Sequence, residues 1–124
     1  MKEKLKCNKA PKPIGPYSVA VSYNGLIYTC GQIPLDTEGN VVGTDIKAQT
    51  RQTIENLKNI LEENGSSIDK VLKTTVYMKD ISEFPAMNEV YNEYFSESAP
   101  ARSTLEAAKL PKDVKIEIDA IAHQ

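Results

Sequence analysis

The dipeptide Asn24-Gly25 lies between two runs of β-prone residues, Val19 to Tyr23 and Leu26 to Cys30. Asn-Gly is the pair best suited to the positive φ angles of a two-residue type I′ turn. The spacing therefore predicts a β-hairpin over residues 19–30. The chain thus contains at least one antiparallel pair of strands.

Two later segments show the periodicity of amphipathic helices. The first begins at about Asp45, a good N-cap residue, and closes at Gly65, with apolar residues lining one face between them. In the second, apolar residues recur at helical spacing from Phe84 to Phe95 before Ala99-Pro100 ends the pattern. The sequence therefore predicts two helices after the hairpin.

Three further segments are typical of strands. The run Val71 to Met78 is rich in β-branched residues, and apolar and charged residues alternate from Val114 to Ala120. A strand from Arg102 to Ala107 has a weaker pattern. Val41-Val42 fits either a short strand or an ordered loop, and the prolines between Cys7 and Pro16 favour an extended segment leading to Tyr17.

The order hairpin, helix, strand, helix, strand, strand indicates an α+β domain with both helices packed on one face of a mixed sheet. No linker or repeat interrupts it, so we expect a single domain over residues 1–124. A sheet covered on one face needs a partner for the other, and we therefore expect a homo-oligomer. Such an oligomer can form ligand-binding sites between its subunits.

Composition argues against several functions. Fifteen Lys plus Arg against 17 Asp plus Glu leave a net charge of -2, which disfavours a nucleic-acid partner. The charged start and the lack of a segment of ~20 apolar residues argue against a signal peptide or a membrane span, so we expect a cytoplasmic protein. The two cysteines are expected to be free thiols, and a single histidine predicts no metal site.

Arg102 and Glu117 are the strongest candidates for chemistry. Arg102 begins a predicted strand, where its guanidinium fork suits a carboxylate, although a surface ion pair is the commoner role. Glu117 lies on the alternating strand, where a solvated face is the simpler interpretation. If another subunit covered that face, Glu117 would have a raised pKa and handle protons near neutral pH. Burial decides between these alternatives.

Five other positions are candidates for a binding site. Tyr17 can donate a phenolic hydrogen bond or only pack its ring, and Cys30 is more simply a small buried residue than a nucleophile. Gly31 permits a close approach of a ligand to the backbone. Asn88 and Tyr91 share a face of the second helix, much of which is expected to be core. Alone, these signals are not specific.

Four blocks of the sequence together resemble the signature blocks of YjgF/RidA proteins, and the match spans essentially the whole chain. They are Ile14-Gly15-Pro16-Tyr17-Ser18, Gly31-Gln32-Ile33-Pro34, Pro100-Ala101-Arg102-Ser103 and Leu110 to Ile118. The resemblance implies a chorismate-mutase-like α+β fold, assembled as a homotrimer with ligand sites between subunits. It also implies a hydrolytic deaminase, without a cofactor, that converts 2-iminobutanoate and 2-iminopropanoate to 2-keto acids and ammonia.

The resemblance assigns roles to individual residues. It makes Arg102 the carboxylate-binding residue and Glu117 the residue that handles water, with Tyr17, the backbone around Cys30 and Gly31, and Asn88 completing the pocket. Cys30 stands where a serine is common, and Thr104 stands where a cysteine is common. Both changes are tolerable if these positions act mainly through backbone groups.

Two other functions remain open at this point. The same pocket can hold a keto acid in a non-catalytic regulatory module, although a second negative group such as Glu117 would add little there. Some relatives are described as ribonucleases that inhibit translation, but the acidic net charge and the lack of a basic, aromatic surface count against RNA binding.

Overall fold

A six-stranded mixed sheet forms the centre of the computed structural model, which describes residues 1–124. The elements are β1 Glu3–Leu5, β2 Ala20–Tyr23, β3 Leu26–Thr29, α1 Ile46–Glu63, β4 Val71–Met78, α2 Phe84–Phe95, β5 Ala101–Glu106 and β6 Ile116–His123. The strands lie in the order β1-β2-β3-β6-β4-β5, and all neighbours are antiparallel except β4 and β5, which are parallel.

The predicted hairpin is present as β2 and β3. Asn24 and Gly25 have φ angles of 51° and 79°, as a type I′ turn requires. Tyr23 pairs directly with Leu26 across the turn. The turn therefore sets the register of the β2–β3 pair.

Both helices cover the same face of the sheet, which confirms the predicted α+β fold. The Asp45 side chain caps α1 by accepting a hydrogen bond from the Ala48 amide at 2.7 Å. Along β6, the residues facing the helices are buried and alternate with partly exposed ones on the other side. We call these two sides the helix-covered face and the open face.

The structure differs from the sequence predictions at the edges. Strand β1 was not predicted, because Glu3-Lys4-Leu5 is short and charged, as edge strands often are. Val41 belongs to an ordered loop, where it forms an isolated bridge with Leu35 rather than a strand.

Neither helix has the length and apolar character that a membrane-spanning helix needs.

Candidate functional site

The predicted site residues fall into two clefts. Arg102 projects from β5 on the helix-covered face, because its register partner Thr74 is fully buried there and is bonded to Tyr91 of α2. Glu117 lies on the open face of β6, between the buried residues Ile116 and Ile118. The two side chains therefore lie on opposite faces of the same sheet.

The separation between these side chains is too large for one small ligand to bridge within a single chain. Strand β4 lies between their strands, with Thr74 opposite Arg102 and Tyr77 opposite Glu117. Two strand spacings and three residue rises place their Cα atoms roughly 14 Å apart. A site that uses both residues consequently needs a second copy of the chain.

The Arg102 cleft is formed by Arg102, Asn88, Phe84 and Tyr91. The Arg102 Nη1 atom donates to Asn88 Oδ1 at 2.8 Å. The guanidinium carbon lies 5.2 Å from the centroid of the Phe84 ring and 4.7 Å from that of Tyr91. Cation–π contacts and one hydrogen bond thus orient the group, while most of its five N–H donors are left for a ligand.

Helix α2 supplies three of these supports because of its sequence spacing. Phe84, Asn88 and Tyr91 are separated by four and three residues, so they lie along one face of the helix. The Tyr91 hydroxyl hydrogen bonds to Thr74 Oγ1 at 2.7 Å, which fixes the ring beneath Arg102. The prediction that this face is partly core is consistent with Met87 and Val90, which are both buried.

The Glu117 cleft contains Tyr17, Cys30, Gly31 and Glu117, all of which were candidates from the sequence. A Cβ atom at Gly31 would lie 2.0 Å from Glu117 Oε2, so only glycine leaves room for the carboxylate. The isolated bridge between Gln32 and Ile118 holds the two segments together, with the Gln32 amide donating to the Ile118 carbonyl at 2.8 Å. Backbone hydrogen bonds between the neighbouring residues therefore bring Gly31 and Glu117 into contact.

The surroundings of Glu117 favour its neutral, protonated form over its charged form more than water does. The side chain is half-buried and takes part in none of the four ion pairs of the chain. Desolvation raises the pKa of Glu117, and Asp119 on the same face of β6 raises that pKa further. A carboxyl group tuned in this direction is suited to accept and return a proton.

Cys30 and Tyr17 flank this carboxylate. Burial raises the pKa of the Cys30 thiol, whose sulfur accepts a hydrogen bond from Gln32 Nε2 at 3.2 Å. The thiol therefore stays protonated at neutral pH and is not an activated nucleophile. Tyr17 is 51% exposed, and its hydroxyl accepts a long hydrogen bond of 3.3 Å from the Ile14 amide. Its phenolic proton remains free for a ligand.

Thr104 lies apart from both clefts. It is two residues beyond Arg102 on the same face of β5, and its hydroxyl is buried without a hydrogen-bond partner. Thr104 is therefore not among the residues that surround either the Arg102 guanidinium or the Glu117 carboxyl.

Sequence reasoning missed several contacts that shape the clefts. Phe84 beneath Arg102 was predicted only as a core residue. Lys112 lines the Glu117 cleft, has a φ angle of 54° and donates from Nζ to the Gly39 carbonyl at 2.8 Å. Lys112 belongs to one of the family-like blocks, but nothing local in the sequence reveals its contact with Gly39.

No group of three or more His, Cys, Asp or Glu side chains is placed to hold a metal ion.

Together, the fold and the clefts define a single-domain α+β protein with two helices on one face of a six-stranded sheet. The family model described as endoribonuclease L-PSP matches residues 7–124. The chain therefore belongs to this family, also called YjgF/RidA.

Individual relatives match over nearly the full length. A RutC family protein of Pyrococcus abyssi is 56% identical, covering 99% of this chain and 98% of the relative. The 2-iminobutanoate/2-iminopropanoate deaminase of Salmonella typhimurium is 44% identical over 98% of both chains. The crystal structure of Escherichia coli TdcF with bound serine has a TM-score of 0.92 and 38% identity, again over 98% of both chains.

Proposed function

We propose that this protein is a hydrolytic deaminase that converts 2-imino acids, chiefly 2-iminobutanoate and 2-iminopropanoate, to 2-keto acids and ammonia. The observation that carries the proposal is the Glu117 carboxyl, which is held against Gly31 in a cleft that raises its pKa. A module that only binds keto acids has no use for a proton-handling group there. The deaminases among the relatives support the same reaction.

Substrate binding is assigned to Arg102. A guanidinium that is stacked on aromatic rings and bonded to Asn88 presents a fixed pair of N–H donors to a carboxylate. The relative with bound serine shows that a family member binds a small molecule that carries a carboxylate. The substrate carboxylate at Arg102 would place the adjacent C=N carbon at a defined distance from Glu117 of another copy.

The reaction then needs only water and one carboxyl group. Water adds to the iminium carbon while Glu117 accepts its proton, giving a neutral carbinolamine. Glu117 returns the proton to the nitrogen, and the C–N bond breaks as the hydroxyl collapses to the carbonyl. The departing ammonia takes up the hydroxyl proton, so an iminium ion and water become a keto acid and ammonium. Tyr17, which lines the same cleft as Glu117, would hydrogen bond to the oxygen that comes from the water.

The proposal includes assembly of the site between copies, as a homotrimer. Each chain contains both clefts but cannot bring Arg102 and Glu117 to one ligand. On the open face, Tyr23, Tyr28 and Leu105 are 49%, 38% and 42% exposed, which leaves an apolar surface for a second copy to cover. Burial of that face would also desolvate Glu117 further.

Decay of 2-iminobutanoate tests the function directly. A threonine dehydratase generates the imine, and its loss is followed with the wild-type protein, with Glu117→Gln and with Arg102→Ala. We expect faster decay that both variants lose. Unaccelerated decay together with tight keto-acid binding would instead establish a regulatory module. RNA cleavage that survives both substitutions would establish the ribonuclease named in the family description.

A further inference from the structure

Helix α1 carries three amides where its packing would otherwise call for apolar side chains. Gln49 and Asn56 are 5% and 1% exposed, and Gln52 is partly buried between them. The spacings of three and four residues place all three along one face of the helix. Buried amides are costly unless their polar atoms are hydrogen bonded, so the partners of these three side chains show what they do.

Asn56 and Gln52 bond to the segment that follows Gly31. Asn56 Nδ2 donates to the Ile33 carbonyl at 3.2 Å and to the Leu35 carbonyl at 2.9 Å. Gln52 Nε2 donates to Asn56 Oδ1 at 2.9 Å, which orients the Asn56 amide. One side of the Glu117 cleft is therefore held from α1.

Gln49 bonds to the segment that precedes Glu117. Its Oε1 atom accepts from the Lys115 amide at 2.8 Å, and its Nε2 atom donates to the Gly43 carbonyl at 3.0 Å. Lys115 lies two residues before Glu117, so the other side of the cleft is held from the same helix. A single rigid element thus sets the spacing of both backbone segments.

We propose that Gln49, Gln52 and Asn56 are positioning residues, which we call the amide row, and that they fix the contact between Gly31 and Glu117. The proposal rests on the proposed function and deepens it, because it names the groups that place the proton-handling carboxyl. None of the three lines the Glu117 cleft, so the row acts through the backbone of residues 33–35 and 115. The Arg102 cleft receives no support from the row.

The variants Asn56→Leu, Gln49→Met and Gln52→Met remove the amides at nearly constant volume. Thr53→Val and Thr50→Val are the matched controls, since both threonines are fully buried on α1 and their hydroxyls have no partner. We expect the amide variants to lower kcat by about ten- to a hundredfold, with KM changed by less than about twofold because Arg102 is untouched. The controls should keep the wild-type kcat.

A second readout does not depend on turnover. The Gln32 and Ile118 amides bond to each other's carbonyls at 2.8 and 3.0 Å, next to Gly31 and Glu117. Loosening the row should accelerate hydrogen exchange at these two amides by about tenfold, while exchange in β4 stays unchanged. If Asn56→Leu does not fold, the partly buried Gln52→Met and the independent contact of Gln49→Met carry the same test.

Two results would overturn the proposal. One is an amide variant in which Gln32 and Ile118 exchange at the wild-type rate, and the other is a loss of kcat that the threonine controls share. A wild-type protein without imine hydrolysis would reject the proposed function, but the exchange rates and an NMR titration of Glu117 would still decide whether the row positions this carboxyl.

Discussion

The Arg102 and Glu117 clefts are held together by different kinds of interaction. Around Arg102, each contact is favourable by itself, because Phe84, Tyr91 and Asn88 all attract a cation. Around Glu117, the neighbours are a glycine without a side chain and a second carboxylate, Asp119. The proposed anion-binding group is thus surrounded by local attraction, whereas the carboxyl that we propose handles the proton lies in an environment that disfavours its charge.

This difference has an energetic consequence. We expect the Arg102 cleft to add to the stability of the chain, since packing and charge both favour its conformation. We expect the Glu117 cleft to lower stability at neutral pH, because the pKa of its carboxyl is raised, and to depend on backbone hydrogen bonds to hold it. Sites of proton transfer commonly carry such a cost, because a perturbed pKa requires an unfavourable environment for one protonation state.

The largest effects are expected when variants of the two clefts are combined in one oligomer. Arg102→Ala and Glu117→Gln should each lower activity by roughly a hundredfold or more. When the two inactive variants are unfolded and refolded together, about a quarter of the wild-type activity should return, because that fraction of shared sites in a closed ring has both residues intact. Each variant refolded alone is the control. Mixed oligomers without activity would show that both residues act within one chain.

Gly31→Ala should damage only the Glu117 cleft. The added Cβ would lie 2.0 Å from Glu117 Oε2, and the φ angle of Gly31 is not positive, so the effect is steric rather than a backbone strain. We expect kcat to fall about ten- to a hundredfold from misplacement of the carboxyl. Keto-acid binding at Arg102 serves as the control. A further loss when Gly31→Ala is added to Glu117→Gln would mean that the alanine acts on something else.

The pH dependence should distinguish the two clefts more finely. Glu117 must be ionised to accept a proton, so kcat should rise with pH through its raised pKa. Asp119→Asn removes one of the causes and should move this limb to lower pH, by less than about one unit because burial is the larger cause. Measurement of kcat from pH 4 to 8 checks this prediction. A limb that does not move would show that Asp119 does not contribute to the raised pKa of Glu117.

Stability should respond in the opposite sense to activity. Because the pKa of folded Glu117 is raised, the ionised form is penalised, and stability falls as the pH rises from the unfolded pKa of roughly 4.3 through the folded value. Glu117→Gln should therefore unfold at a higher temperature at pH 7 than the wild type. After allowance for solvent screening we expect a gain below about 1 kcal/mol. The gain should be absent below the unfolded pKa, and a constant gain at all pH values would exclude ionisation as its cause.

The smallest effect is expected at Cys30. Its thiol has a raised pKa and only accepts a hydrogen bond from Gln32, a role that a serine hydroxyl also fills. Cys30→Ser should change kcat/KM by less than about threefold. Cys7→Ser, outside the Glu117 cleft, is the matched control. A loss of more than tenfold at Cys30 alone would mean that the sulfur takes part in the chemistry.

Much of the local structure was predictable from the sequence. The turn at Asn24-Gly25, the helix cap at Asp45 and the alternation along β6 are decided by residues close to one another in the chain. The same kind of evidence placed Asn88 and Tyr91 on one face of a helix. It also marked Arg102 and Glu117 as candidates, but their roles came only from the resemblance to a family.

The tertiary structure alone decided how the candidates are arranged. Arg102 and Glu117 lie on opposite faces because their register partners on β4 are three residues apart, and an odd separation along a strand reverses the face. The insertion of β4 between their strands, which no local pattern encodes, separates them further. The contact between Gly31 and Glu117 joins residues 86 positions apart in the chain, and Asn56 reaches Leu35 across 21. Periodicity reports on neighbours within a few residues, whereas a site depends on strand register and helix packing, which are set by the energy of the whole fold.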